Sequence, residues 1–119
     1  MSQNFQPGDF LVFQLEAGFA LLRLLNIQEN VDGNIWHVSA YNEFFPDIES
    51  AEAAIDEPNR LTISNPHIAL TDRAFASTQV ARLQNSPLVE PDLNEYRQWL
   101  NDPEPMISDR SIRLMLGLR

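Results

Sequence analysis

The sequence predicts an α+β fold: a strongly curved antiparallel β-sheet, an SH3-like or half-barrel meander, with a C-terminal helix and one or two short helices. Three observations lead there. Residues 8–42 read as three successive strands joined by tight reversals. Residues 92–101 show helical spacing behind a proline and an acidic capping pair. Between them, short apolar runs alternate with turn signals.

Residues 1–7 are expected to form a loose arm, from which Phe5 can tuck down. Gly8-Asp9 then launches Phe10-Leu-Val-Phe-Gln-Leu15, rich in aromatic and β-branched residues. Phe10 and Val12 fall on one face, and Leu11, Phe13 and Leu15 on the other. A strand apolar on both faces is expected to be covered on both. Glu16-Ala-Gly18 is a short connection to a second strand over residues 19–28. Val31-Asp32-Gly33-Asn34 reads as a hairpin turn, since Asp-Gly suits the two left-handed positions of a type I′ turn. A third strand covers residues 35–41.

Pairing Val31 with Asn34 places Ile27 opposite Val38, Leu25 opposite Ala40 and Gln28 opposite His37. The expected core face then carries Phe19, Leu21, Leu25, Ile27, Trp36, Val38 and Ala40. The other face carries Leu24 with Tyr41, Asn26 with Ser39, and Gln28 with His37. It is expected to stay open.

Ile48-Glu-Ser-Ala-Glu-Ala-Ala-Ile55 has helical spacing and stops before Pro58. With Asp47, Glu49, Glu52, Asp56 and Glu57 it is the most acidic segment. Residues 61–64 and 67–70 are two short strand candidates separated by Asn65-Pro66. Residues 71–75 suit one helical turn capped by Thr71 or Asp72. Residues 78–83 alternate like a strand. In the 92–101 helix, Leu93, Tyr96 and Leu100 form a stripe with Trp99 beside it, suited to packing on the sheet. Residues 108–116 favour a helix, with Ser108 as cap and Gly117 as stop, although Ile112, Leu114 and Leu116 also alternate.

At 119 residues the chain is expected to form one domain. A chain of this size buries roughly two-thirds of its unfolded surface, enough for one core. Cysteine is absent, which excludes disulfides and thiolate metal sites and fits a reducing compartment. The first residues lack the charged and apolar regions of a signal peptide, and no apolar run nears the roughly 20 residues that span a bilayer. A cytoplasmic protein without membrane contact is expected. Net charge is −9, and all eight cations are arginine. The absence of lysine excludes Schiff-base chemistry and a P-loop. An acidic surface repels phosphate backbones, so a basic protein rather than nucleic acid is the expected partner.

The candidate contacts are of two kinds. Asn26, Gln28, His37, Ser39 and Tyr41 form a polar patch on the second sheet face, suited to a peptide or a small polar ligand. Phe44 and Phe45, adjacent at a strand exit, cannot both point inward easily, so one is expected to be exposed to a partner. His37 and His67 could share a metal with Asp72 or Asp9, but their spacing matches no ligand motif, and no cofactor or metal is expected. No nucleophile elbow or convergent acid–base set marks an enzyme.

Several patches together resemble a group of small, mostly uncharacterised bacterial proteins, some of them grouped with the immunity proteins of toxin–immunity systems. They are Phe5-Gln-Pro-Gly8-Asp9-Phe10, Leu15-Glu-Ala-Gly18, Leu22-Arg23-Leu24-Leu25, His37-Val38 with Tyr41, His67-Ile-Ala-Leu70 with Phe75, and Leu93-Asn-Glu-Tyr96-Arg-Gln-Trp99. The resemblance implies a curled β-sheet domain and, as one role, blocking a basic toxin. A non-enzymatic interaction domain is therefore the leading expectation. A small-ligand module around His37 and an enzyme of unrecognised type are the alternatives.

Overall fold

The computed structural model describes residues 4–118. It is an α+β structure built on one open, five-stranded antiparallel sheet. The strands are β1 (Asp9–Leu15), β2 (Gly18–Asn30), β3 (Gly33–Phe45), β4 (Ile63–Thr71) and β5 (Ala81–Asn85), in the order β4-β3-β2-β1-β5. The described residues also form helices α1 (Ile48–Ile55), α2 (Asp72–Thr78), α3 (Asn94–Leu100) and α4 (Ile112–Leu116). None of these is long and apolar enough to cross a membrane.

β1 is buried on both faces, as its two apolar sides require. Leu11 and Phe13 join one core with Leu22, Leu24, Val38 and Leu70, roofed by Ala74 and Phe75 of α2 and Ile112 of α4. Phe10 joins the other with Leu21 and Phe45, roofed by Ala51, Ala54 and Ile55 of α1. The sheet is therefore sandwiched between helices. α1 matches its expected limits, with Asp47 capping it by accepting from Ser50 N at 2.7 Å.

The β2–β3 register differs from the expected one. The reversal is Val31-Asp32, with Asn30 opposite Gly33, Ile27 opposite Trp36 and Asn26 opposite His37. The cause is an anchor from α2. Asp72 accepts from Asn34 N at 2.9 Å and from Trp36 Nε1 at 2.7 Å, which pins the start of β3. Gly33, at φ +127°, is required there, because a Cβ would come within 2.8 Å of Asp72 Oδ2.

A second shift falls between Leu24 and Asn26. This bulge moves Leu24 onto the side of Val38, away from the Tyr41 face where alternation placed it, while Leu21 lies in the α1 core. The expected core face therefore holds for Ile27, Trp36, Val38 and Ala40 and fails for Leu21.

The arm is pinned from Asn4 onward. Phe5 packs edge-on against Trp36 and Phe75, and Arg82 Nη1 donates to Asn4 O at 2.9 Å. Residues 1–3 lie outside the described residues. The two strand candidates at 61–64 and 67–70 are one strand, β4, running through Pro66. Proline is tolerated there because β4 is an edge strand. Ser108 covers part of that edge, donating from N to Ala69 O at 2.8 Å and accepting from Thr71 N at 3.0 Å. Ser111, not Ser108, consequently caps α4, and Gly117 ends it as expected. Thr78, expected in a strand, closes α2, which stops at the left-handed Gln79. The expected helix over 92–101 is a 3-10 turn, Glu90–Leu93, followed by α3.

Candidate functional site

The histidine face is not an open surface. His37 is fully buried, contrary to the expectation that its side of the sheet would stay open. Tyr96 and Trp99 of α3 close over it, with ring centroids 4.5 and 4.7 Å from the imidazole. Asn26 Nδ2 donates to Tyr96 Oη at 2.8 Å and helps hold the helix down.

Beneath α3 runs a hydrogen-bonded chain. His37 Nε2 lies 3.0 Å from Gln28 Oε1, and His37 Nδ1 lies 2.9 Å from His67 Nε2. The Gln28 oxygen can only accept, so His37 carries its proton on Nε2. Its Nδ1 then accepts from His67 Nε2–H, and both rings are neutral. Burial pushes both imidazoles down to about 4, and at His37 the neighbouring His67 adds to the effect.

Sequence reasoning thus pointed to both histidines, and the structure brings them together, but as partners of one another. Asp72 and Asp9 serve elsewhere. Asp72 anchors β3, and Asp9 accepts from Gln6 N at 2.7 Å and Asn85 Nδ2 at 2.8 Å. Gln28, His37 and Tyr41 line no shared cavity among the described residues. Tyr41 belongs to a different neighbourhood, and Ser39 is buried opposite Arg23.

That second neighbourhood centres on Arg23, which sequence reasoning passed over because it sits within the apolar run of β2. Arg23 is only 7% exposed. Its Nε donates to Gly8 O at 2.9 Å, and its Nη2 to Ser86 O at 2.6 Å and, more weakly, to Pro87 O at 3.4 Å. The guanidinium also lies 4.2 Å from the Phe10 ring centroid. Gly8, at φ +95°, permits this, since a Cβ there would sit 2.5 Å from Ser86 O. Arg23, Tyr41 and Asp92 line a cavity of about 320 Å³ with Phe10, Ile55 and Leu61. Burial pushes the Tyr41 phenol up, with the adjacent guanidinium acting against it.

The third feature is the acidic segment. Asp47, Glu49, Glu52, Asp56 and Glu57 are all exposed, and among ion pairs of the described residues only Glu57 appears, with Arg60 at 3.3 Å. The two phenylalanines before it diverge as expected. Phe45 packs under α1, whereas Phe44 is 56% exposed and borders a shallow recess with Leu116 and Leu118. Phe44 pairs with Ala20, a member of the α2–α4 core, so it lies across the sheet from α1.

Comparison with protein-family models, curated proteins and solved structures finds no match to this chain.

Proposed function

We propose that this is a non-enzymatic interaction domain that binds a basic protein partner through the acidic surface of α1, and that blocking a basic toxin is the specific form of the role. The observation that carries the reading is the exposed row of five carboxylates over residues 47–57, ion-paired among the described residues with Arg60 alone, in a chain of net charge −9. Such a row raises the association rate with a cationic partner and makes binding salt-sensitive. Exposed Phe44, at the end of β3, offers a separate apolar contact. We place the protein in the cytoplasm, which the absence of cysteine fits.

The test is a pull-down from lysate with immobilised protein at low salt, alongside a Glu49→Lys/Glu52→Lys variant. The wild type should retain a basic protein that elutes at high salt, and the variant should not. Retention of no basic protein at low salt, or equal retention by both, would contradict the proposal.

A further inference from the structure

The cavity lined by Arg23, Tyr41 and Asp92 borders a buried charge that the domain meets with hydrogen-bond partners but, among the described residues, with no opposite charge in an ion pair. A buried charge is ordinarily paired with an opposite one. Arg23 is buried, yet no ion pair among the described residues includes it. Its Nε and Nη2 are taken up by backbone carbonyls. The Tyr41 hydroxyl also hydrogen-bonds the guanidinium, but no carbonyl or carboxylate accepts from Nη1 among the described residues, and Arg23 forms part of the cavity wall.

The rest of the cavity narrows what could complete this site. Asp92 lines it too, its Oδ2 accepting from Val89 N at 3.0 Å. Phe10, Ile55 and Leu61 make much of the remaining wall apolar. A simple anion would meet Asp92 and the field of a chain with net charge −9. A simple cation would meet Arg23. A molecule carrying both charges and an apolar body satisfies all three features. The volume of about 320 Å³ lies at the small end of ligand sites, which run from about 300 to 1,000 Å³.

We propose that this cavity binds a small apolar amino acid as its zwitterion. The carboxylate engages Arg23 Nη1, the ammonium group is directed to Asp92, and the side chain lies against Phe10, Ile55 and Leu61. The Tyr41 hydroxyl stands ready to donate to the same carboxylate. Because Ile55 is the buried last residue of α1, the ligand would sit at the C-terminal end of the acidic helix without occupying its exposed face.

The experiment is an amide NMR titration of the whole protein with L-leucine, with isocaproate (the same body without the amine) and with isoamylamine (the same body without the carboxylate). Leucine should give saturable shifts at the amides of Arg23 and Ile55. Each half-ligand should bind at least about tenfold more weakly. Asp92→Asn, whose amide oxygen can still accept from Val89, should keep the fold and weaken leucine about tenfold or more, while isocaproate holds or improves. The absence of saturable leucine shifts, isocaproate binding as tightly as leucine, or an unchanged leucine affinity in the Asp92→Asn variant would each overturn the assignment.

Discussion

The sheet buries its two faces by different means. Towards α2 and α4 it hides Leu22, Leu24, Val38 and Leu70 in an almost wholly aliphatic and aromatic core. Towards α1 and α3 it hides Leu21 and Phe10, but also Arg23, His37 and Ser39. On the first face, stability follows from removing apolar area from water and needs only side chains of the right size. On the second, each polar group is tolerable only because a specific partner meets it: Gly8 and Ser86 carbonyls for Arg23, and Gln28 and His67 for His37. The first face can be recognised from pattern alone, whereas the second depends on partners brought from far along the chain. It is also where a buried charge, Arg23, lies outside every ion pair of the described residues.

The contrast can be broken by substitution. Leu24→Ala, at a fully buried position of the apolar face, should lower stability by about 2–5 kcal/mol in urea unfolding, through lost transfer energy and the cavity left behind. Arg23→Met keeps the volume over Phe10 but takes the guanidinium donor from the Ser86 carbonyl and leaves the Gly8 carbonyl with Ser86 N alone. It should cost about 1–3 kcal/mol by the same measurement. A near-neutral result would mean that the polar face tolerates a simple apolar replacement after all.

Acid should sharpen the difference. The pKa of both histidines falls from 6.5 to about 4 on folding, so the unfolded chain takes up protons first. Their contribution is therefore complete above pH 6.5 and is lost as pH falls towards about 4. Melting temperature should decline through that window. His67→Gln should make the decline shallower, because one titrating ring is gone. Asp72, held down by the Trp36 and Asn34 hydrogen bonds, adds its loss only below its ordinary value of 3.8. The smallest effect is expected at Phe44→Ser, within about 0.5 kcal/mol, because that ring is already largely in solvent.

What could be read from the sequence follows the same division. The two-sided burial of β1, the limits of α1 and the Gly117 stop all rest on signals within a few residues, and each is found where local chemistry placed it. The divergence of Phe44 and Phe45 was legible for the same reason. The register of β3 was not, because Asp72, 38 residues beyond Asn34, fixes it. Nor was the bulge after Leu24, which reverses the faces that strict alternation assigns. His37 read as exposed because Tyr96 and Trp99, which cover it, lie on a distant helix. The Asn26–Tyr96 bond alone spans 70 residues. Arg23 gave no warning, since backbone carbonyls carry no sequence signal and Ser86 lies 63 residues away.

The burial of the polar face is tested most directly by following the ring carbons of His37 in an NMR pH titration. A midpoint near 4 is expected if the imidazole is neutral, hydrogen-bonded to Gln28 and His67, and closed under α3. A midpoint near the ordinary 6.5 would show His37 open to water and would contradict the two-sided packing of the sheet.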